Sequence, residues 1–220
     1  TGLPSGLTQL APTNQEPPNS QDQYVLMVGT IEARKNHLLA FNAWQRLVEK
    51  HGPDAIPTLI VVGKKGWNAD EFLEELKKSN NLNGKIELRT DSVTDTELAQ
   101  LYRDAQFTIY PSDYEGWGLP YTESIQAGTP VIAANNSSLP EAGGDLACYF
   151  DTGNLEDFIS VMETQMLDPE NYAAWKSKIT QNRPLPITWS NIADLIDQEI
   201  EQVRNETTIN PPQTIPVLAQ

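Results

Sequence analysis

The chain has 220 residues, with 15 Lys and Arg against 30 Asp and Glu, so its formal net charge is −15 and its pI about 4.4. Such an acidic chain is a poor partner for nucleic acid or an anionic membrane surface, and no apolar run approaches the roughly 20 residues that span a bilayer. One cysteine, Cys148, excludes an internal disulfide framework, and two histidines leave little for a metal cluster. We therefore predict a globular domain that holds no metal and neither binds nucleic acid nor inserts into a membrane.

Polar, proline-rich segments stand at both ends of the chain. Residues 1–23 contain four prolines among many Asn, Gln, Ser and Thr, which is typical of a linker or tail between domains, and residues 205–220 have the same character. Residues 24–204 alternate short apolar runs with helix-forming stretches and are expected to form one domain. Because the chain starts without Met and without a signal-peptide pattern, we expect it to be a piece of a longer protein.

Six short apolar runs predict the strands of a sheet, and the first two are apolar on both faces, as in strands buried between helix layers. The predicted strands are residues 24–28, 58–62, 85–89, 107–110, 131–133 and 147–150. The predicted helices are residues 36–51, 69–79, 95–104, 119–127 and 154–167, with a further helical stretch at 169–204. Strands that alternate with helices predict an α/β fold: a Rossmann-like, doubly wound, mostly parallel sheet with helices on both faces.

Three further side chains are predicted to lie in the core. Trp44 and Trp189 each belong to an apolar-periodic segment, and Cys148 lies in an apolar run. No Ser-His-Asp or Cys-His arrangement is evident in the sequence, so nucleophilic catalysis of that type is not expected. Ligands of a doubly wound sheet bind at the carboxyl ends of its strands, so the loops that follow the strands are the candidate binding loops.

The loops after the first two strands each carry a pair of cations. Arg34 and Lys35 lie just before the first predicted helix, and Lys64 and Lys65 follow the second strand. Positive charge at a helix N-terminus opposes the helix dipole, so Arg34 and Lys35 stabilise the helix little. Two cation pairs on one edge of an acidic protein indicate an anionic ligand, with phosphate the simplest choice. The alternative is a solvated Arg-Lys pair.

The loop after the fourth strand is rich in glycine and leads into the helix at 119–127. Pro120 suits the first turn of that helix, where peptide N–H groups near Gly118 and Leu119 are expected to form an anion-binding nest. Glu115 precedes the turn and Glu123 follows it, and carboxylates suit hydroxyl groups such as those of ribose and a sugar. The alternatives are a solvated loop acid at position 115 and helix-dipole stabilisation at position 123.

The stretch from Glu115 to Glu123 resembles the E-x7-E motif of retaining GT-B glycosyltransferases of the GT4 type. Further blocks similar to that family occur in the family's order at residues 28–37, 62–67, 93–102, 110–112, 128–133 and 137–141. The resemblance covers about residues 24–204. It corresponds to the C-terminal, nucleotide-sugar-binding half of a GT-B enzyme, and the N-terminal, acceptor-binding half is absent.

The resemblance implies a role for each of several residues. Catalytic roles fall to Glu115, Lys35 and Arg34. The implied diphosphate contacts are Arg34, Lys35, Gly118 and Leu119, and the donor-sugar contacts are Glu115, Gly116 and Trp117. Glu123 matches the ribose contact, and the segment 89–93 matches the nucleobase contact through Arg89, Thr90 and Val93.

The chain departs from the family's pattern at two positions. Many members carry Arg directly after the first glycine, where this chain has Thr30, so a clamp of two cations requires Arg34 or Lys64 as the second one. Glycine is frequent where this chain has Thr90, within the segment that matches the nucleobase contact.

The resemblance implies the donor-binding domain of a retaining, metal-independent hexosyltransferase of bacterial polysaccharide biosynthesis. Its donor is expected to be a nucleoside-diphosphate sugar such as UDP-glucose or GDP-mannose, and its acceptor a glycan or another molecule. The resemblance implies that no cofactor is needed and that the missing N-terminal half is a partner of this domain. It also implies a cytoplasmic location, where the missing half would hold the protein at the inner face of the membrane. The alternatives are a nucleotide-sugar-binding module or partner subunit without transfer activity, and a related enzyme such as an epimerase or phosphorylase.

Overall fold

The computed structural model describes residues 23–184 and 188–209 of the chain. These residues fall into two compact units, which divide at residue 185. The first unit contains the sheet and the helices that cover it, and the second contains one long helix. Among the described residues, no helix is both long enough and apolar enough to cross a bilayer.

Six parallel strands form one sheet in the order β3-β2-β1-β4-β5-β6. The strands are β1 (Tyr24–Val28), β2 (Thr58–Val62), β3 (Ile86–Arg89), β4 (Phe107–Tyr110), β5 (Val131–Ala134) and β6 (Cys148–Phe150). Each predicted strand agrees with the observed one to within one residue at either end. The strand order reverses between β1 and β4, which makes their carboxyl ends the place where such a sheet binds its ligand.

Helices follow the strands as the sequence predicts. They are α1 (His37–His51), α2 (Asp70–Lys78), α3 (Asn80–Gly84), α4 (Asp95–Asp104), α5 (Leu119–Ala127), α6 (Leu139–Gly143), α7 (Leu155–Leu167), α8 (Pro169–Asn182) and α9 (Trp189–Ile209). The sequence analysis misses α3 and α6, which are single short turns. All five residues of α3 have positive φ, so it is a left-handed turn and not a regular helix.

Helices cover both faces of the sheet, and alternate residues of a strand face opposite layers. Val25 and Met27 of β1 pack with side chains of α1, α2, α7 and α8, whereas Leu26 packs with side chains of α4. The neighbouring strands β4 and β5 pack against α5 and α6 through a third cluster. Burial on both faces explains why β1 and β2 are apolar throughout, and it confirms the doubly wound α/β fold.

The two tryptophans that the sequence places in the core differ in burial. Trp44 of α1 is fully buried, and its indole N–H donates to the Pro57 carbonyl at 3.0 Å. Trp189, at the start of α9, is 70% exposed, so the prediction is wrong for this residue. Other large apolar side chains of α9 are also exposed, among them Ile196 and Val203. Cys148 is half-buried against the α1 side of the core.

The predicted helical stretch 169–204 is two helices. The chain leaves the helical conformation after Asn182, since Pro184 and Pro186 follow closely and proline disfavours helix in the residue before it. The first unit ends at residue 185, whereas the predicted domain extends to 204, and α9 continues five residues into the predicted tail. The predicted linker at residues 1–22 and the rest of the tail at 210–220 lie outside the described residues.

Candidate active site

The loops after β1 and β2 are joined by backbone hydrogen bonds. The N–H groups of Gly29 and Ile31 donate to the carbonyls of Val62 and Lys64 at 3.0 and 2.9 Å. This close approach requires glycine at position 63, because a Cβ there would lie 1.9 Å from the Gly29 carbonyl oxygen. The loop after β1, which carries Arg34 and Lys35, is thereby held against the loop after β2 at the edge of the sheet.

Asn36 connects the loop after β1 with the loop after β4. It has a left-handed backbone conformation with φ +55°, and its side-chain oxygen caps α1 by accepting from the Leu39 N–H at 3.3 Å. Its side-chain nitrogen donates to Asp113 at 3.0 Å, and the Asp113 N–H donates to the Arg34 carbonyl at 2.8 Å. Arg34 and Lys35, which precede Asn36, are therefore held beside the β4 loop.

Both cations of the β1 loop contact the carboxylate of Glu115. The Lys35 ammonium contacts Oε1, and Nη1 of Arg34 lies 3.1 Å from Oε2 and 3.0 Å from the Tyr114 carbonyl oxygen. Lys35 and Glu115 are only 8% and 5% exposed, and Arg34 is half-buried. The alternative of a solvated loop acid at position 115 is therefore wrong, as is the alternative of a solvated pair at 34 and 35. A buried carboxylate requires such partners, because an unpaired buried charge is strongly unfavourable.

Serine side chains also hold Glu115, at its carboxylate and at its backbone. The Ser112 hydroxyl, which is buried, donates to Oε1 at 2.8 Å, and the Glu115 N–H donates to the Ser137 hydroxyl oxygen at 3.0 Å. The Ser138 hydroxyl donates to the Glu115 carbonyl at 3.2 Å, and the Asn136 amide to the Ser112 carbonyl at 2.8 Å. The turn after β5 thus holds the loop after β4 and orients its carboxylate.

The other predicted glutamate lies one turn inside α5. Gly118 begins this helix with φ +78°, a conformation that favours glycine, and Pro120 follows in the first turn. The N–H groups of a first helical turn, including that of Leu119, have no partner within their own helix. Glu123 is buried, and its Oε2 accepts from the Tyr102 hydroxyl at 3.1 Å.

The segment predicted to hold the nucleobase lies at the far edge of the sheet. Arg89 ends β3, and Arg89 and Val93 line a cavity of about 430 Å³ beside α4. Thr90 is exposed and is not among the residues that line it. In the sheet, β2 and β1 lie between β3 and β4, so this segment does not join Lys35 and Glu115 in one cluster.

A comparison with protein families decides the identity. The family model described as Glycosyl transferases group 1 matches residues 12–182, which is more than three quarters of the chain. The chain belongs to this family. This is consistent with the resemblance of the chain's motifs to GT4-type glycosyltransferases.

Curated relatives of this group 1 glycosyltransferase chain include bacterial mannosyltransferases. It is 34% identical over 170 residues to O-antigen chain mannosyltransferase B of Escherichia coli, covering 77% of this chain and 43% of that protein. It is 32% identical to the serotype-specific mannosyltransferase WbdA of E. coli, and the match covers 74% of this chain and 19% of that protein. It is 26% identical to D-inositol 3-phosphate glycosyltransferase of Rhodococcus opacus, covering 79% and 40%. The chain spans less than half the length of these relatives.

Solved structures confirm the fold of the group 1 glycosyltransferase chain. HepE of Anabaena, whose structure is a complex with UDP and glucose, superposes with a TM-score of 0.68 at 17% identity, over 83% of this chain and 49% of that one. TarM superposes with a TM-score of 0.66 at 17% identity, over 84% and 37%. The Rossmann-like sheet is thus that of one half of a GT-B fold.

The sequence analysis did not assign a role to Ser112, Ser137 or Tyr102 in this group 1 glycosyltransferase site. The signal that could have found the serines is the topology, because the carboxyl ends of β4 and β5 are adjacent in a sheet of this order. Of the two residues that could replace the family's arginine at Thr30, Arg34 contacts Glu115. Lys64 is exposed and has no ion pair among the residues that the structure describes.

Proposed function

We propose that the protein is the donor-binding half of a retaining hexosyltransferase that takes its hexose from a nucleoside-diphosphate sugar. One observation carries the proposal: Lys35 and Arg34 converge on the buried carboxylate of Glu115, between the loops that follow β1 and β4. Glu115 and Glu32, whose Oε1 lies 2.7 Å from Nε of Arg34, fix these two cations as charged donors for an anion. A sheet edge at a topological switch point is where such an anion is expected.

The chemistry follows from this charge. Breaking the anomeric C–O bond leaves negative charge on the diphosphate, and fixed cations stabilise that charge as it develops. Lys35 and Arg34 supply two of them, and the first-turn N–H groups of α5 at Gly118 and Leu119 add the dipole of a helix N-terminus. In this proposal these groups provide the charge, and no metal or cofactor is required.

Glu115 is assigned to the transferred sugar, together with Gly116 and Trp117. A carboxylate is an acceptor for sugar hydroxyls, and the serines of the β4 and β5 loops fix its direction. Glu123 is assigned to the ribose, and the segment of Arg89, Thr90 and Val93 to the base. Retention of configuration is proposed from the family resemblance, with the donor phosphate assisting deprotonation of the acceptor.

The relatives support mannose as the hexose and a longer protein as the working enzyme. Several of them are named mannosyltransferases, and the chain spans less than half of their length. We propose that the acceptor binds to a second, N-terminal half that this chain lacks, and that GDP-mannose is the first donor to test, with UDP-glucose the second. The cytoplasm, at the inner face of the membrane, is the proposed location.

Calorimetric titration of the 220-residue chain tests the proposal. UDP, GDP and ADP and their hexose conjugates are titrated in the presence of a metal chelator, and we expect saturable binding of one nucleotide. Lys35→Ala should weaken it at least about tenfold, because charge-assisted hydrogen bonds to an anion contribute on the order of 1.5–3 kcal/mol.

Lys78→Ala is the matched control, because Lys78 forms an exposed ion pair with Glu75 at 2.8 Å within α2 and not on a loop that follows a strand. Binding of no nucleotide, or equal binding by Lys35→Ala and the native chain, would contradict the proposed function. Binding that disappears with the chelator would contradict the metal-independent site alone.

A further inference from the structure

Tyr102 of α4 and Glu123 of α5 form a hydrogen bond inside the protein. The Tyr102 side chain is fully buried and its hydroxyl lies 3.1 Å from Oε2 of Glu123, which is 8% exposed. The Tyr102 carbonyl accepts from the Thr129 hydroxyl at 2.5 Å, so the residue is fixed at its backbone as well. A tyrosine hydroxyl therefore holds a carboxylate from a rigid position.

The direction of this hydrogen bond is determined by the chemistry of the two groups. Burial, with the nearby Tyr110 and Glu123, raises the pKa of Tyr102 well above its ordinary value of 10.0, so the hydroxyl stays protonated and donates. A carboxylate that accepts one hydrogen bond from a fixed donor loses much of its rotational freedom. Its remaining acceptor positions then point in a defined direction.

We propose that Tyr102 is a positioning residue that orients Glu123 toward the ribose hydroxyls of the bound nucleotide. The inference rests on the proposed function, which assigns the ribose to Glu123. It adds to that function a basis for selecting ribonucleotides: Glu123 accepts from the 2′- and 3′-hydroxyls only while Tyr102 holds its carboxylate. The nucleotide itself never contacts Tyr102.

A purely structural role for the same hydrogen bond has a different consequence. If the bond only joined α4 to α5, its loss would weaken the binding of every nucleotide by a similar factor. If the bond orients Glu123, its loss weakens the binding of only those nucleotides that carry the ribose hydroxyls. The ratio of affinities for a ribonucleotide and its deoxy analogue separates the two roles.

The experiment uses the 220-residue chain and its Tyr102→Phe variant. Both are titrated with UDP and GDP and with the 2′-deoxy and 2′,3′-dideoxy forms of each. We expect the native chain to prefer the ribonucleotide by at least about tenfold, since a hydrogen bond to a charged group is worth that much. In Tyr102→Phe the ribonucleotide should lose about three- to tenfold in affinity, with the deoxy forms unchanged within about twofold.

Two further variants complete the design. Tyr172→Phe is the matched control, because the Tyr172 hydroxyl donates to a backbone carbonyl, that of Gln106, at 2.8 Å and lies on α8, outside the proposed site. The double variant Tyr102→Phe/Glu123→Ala removes both the hydroxyl and the carboxylate, so it tests the coupling even where Tyr102→Phe folds poorly. Its ribose preference should equal that of Glu123→Ala alone.

Three results would overturn the inference. The first is an unchanged ribose preference in Tyr102→Phe, and the second is a native chain that binds nucleotides with no preference for ribose. Either leaves the proposed function in place. The third, a native chain that binds no nucleotide, would remove the proposed function together with the inference.

Discussion

Glu115 is the residue on which the candidate site depends, because three side chains from two loops contact its carboxylate. Lys35 and Arg34 come from the loop after β1, and Ser112 from the loop that also carries Glu115. The two cations neutralise the buried charge, whereas the Ser112 hydroxyl contributes direction without charge. The serine can therefore be removed with Glu115 still paired.

Ser112→Ala should reduce the binding of the nucleotide sugar more than that of the nucleotide. Oε1 of Glu115 keeps its contact with Lys35, so the diphosphate clamp is retained, while the carboxylate is less well directed toward the sugar. We expect the affinity for the nucleoside-diphosphate hexose to fall about three- to tenfold, the range of one ordinary hydrogen bond. Titration with GDP-mannose and GDP measures the difference.

Ser177→Ala provides the comparison, because the Ser177 hydroxyl accepts an exposed hydrogen bond from Gln181 at 3.0 Å on α8. Equal losses for the sugar nucleotide and the nucleotide in Ser112→Ala would mean that the serine does not orient Glu115 toward the sugar.

Gly63→Ala should destabilise the loop pair that supports Lys35. The added Cβ would meet the Gly29 carbonyl oxygen at 1.9 Å, and both atoms belong to backbone that cannot rotate away. Overpacking of this kind costs on the order of 1–3 kcal/mol, so urea denaturation should show a lower free energy of unfolding by at least about that amount. Gly116→Ala has open space around its Cβ and should leave the unfolding free energy unchanged. If Gly63→Ala had the same free energy of unfolding as the native chain, the loops after β1 and β2 could move apart to accommodate the added Cβ.

At the scale of elements, the sheet is more predictable than the helix that follows it. The strands are buried on both faces, so their apolar runs mark their ends to within one residue. Periodicity predicts a helix equally well for α1 and α9, but it does not tell whether the apolar face is covered. Trp44 of α1 is buried and Trp189 of α9 is exposed, although both belong to apolar-periodic segments.

The site is predictable at the level of loops and not of side chains. Because all loops that follow the strands of a parallel sheet lie at its carboxyl edge, the sequence places Lys35 and Glu115 on one edge, and the structure adds that β1 and β4 are neighbours. It does not predict that the carboxylate is buried, or that Ser137, which has a φ of +46°, accepts from the Glu115 N–H. Those contacts depend on loop conformations that no periodic pattern encodes. The backbone strain at Ser137 is typical of functional sites.

The first residue of α1 makes stability depend on pH. His37 is 3% exposed and packs against Phe72 of α2, with ring centroids 5.3 Å apart. Burial, together with the nearby Lys35 ammonium, lowers the pKa of His37 from 6.5 to about 4 in the folded protein. Above pH 6.5 the ring is neutral in both states and has no effect. Between pH 6.5 and 4 the unfolded chain binds a proton that the folded one does not, so stability falls as the pH falls.

His37→Phe should remove this dependence. We expect the free energy of unfolding of the native chain to lose up to about 1.4 kcal/mol per pH unit from His37 between pH 6.5 and 4, and the variant to lack that contribution. Urea denaturation at a series of pH values measures it as the difference between the two curves, because carboxylates act on both alike. His51→Phe is the control, since His51 is a partly exposed partner of Glu163 at 2.7 Å. Parallel curves for His37→Phe and the native chain would contradict the assignment.

At the scale of the whole molecule, the proposed function accounts for the donor and assigns no surface of this chain to the acceptor. Lys35, Arg34 and Glu115 lie on one sheet edge, and the chain spans less than half the length of its curated relatives. Transfer requires an acceptor hydroxyl aligned with the anomeric carbon, and such alignment is worth on the order of 7–11 kcal/mol of the barrier. A protein that binds only the donor keeps the affinity and loses that contribution.

The 220-residue chain should therefore bind its nucleotide sugar but transfer the hexose poorly. In a product assay with labelled GDP-mannose and a mannose-containing acceptor, we expect a rate at least about 10³-fold below that of a longer protein that includes the acceptor half, since alignment alone accounts for more. Glu115→Gln in the longer protein should reduce transfer strongly while GDP binding persists. This outcome separates an enzyme from a nucleotide-sugar-binding module, for which the longer protein would be inactive as well. Efficient transfer by the 220-residue chain would mean that the acceptor binds to this half.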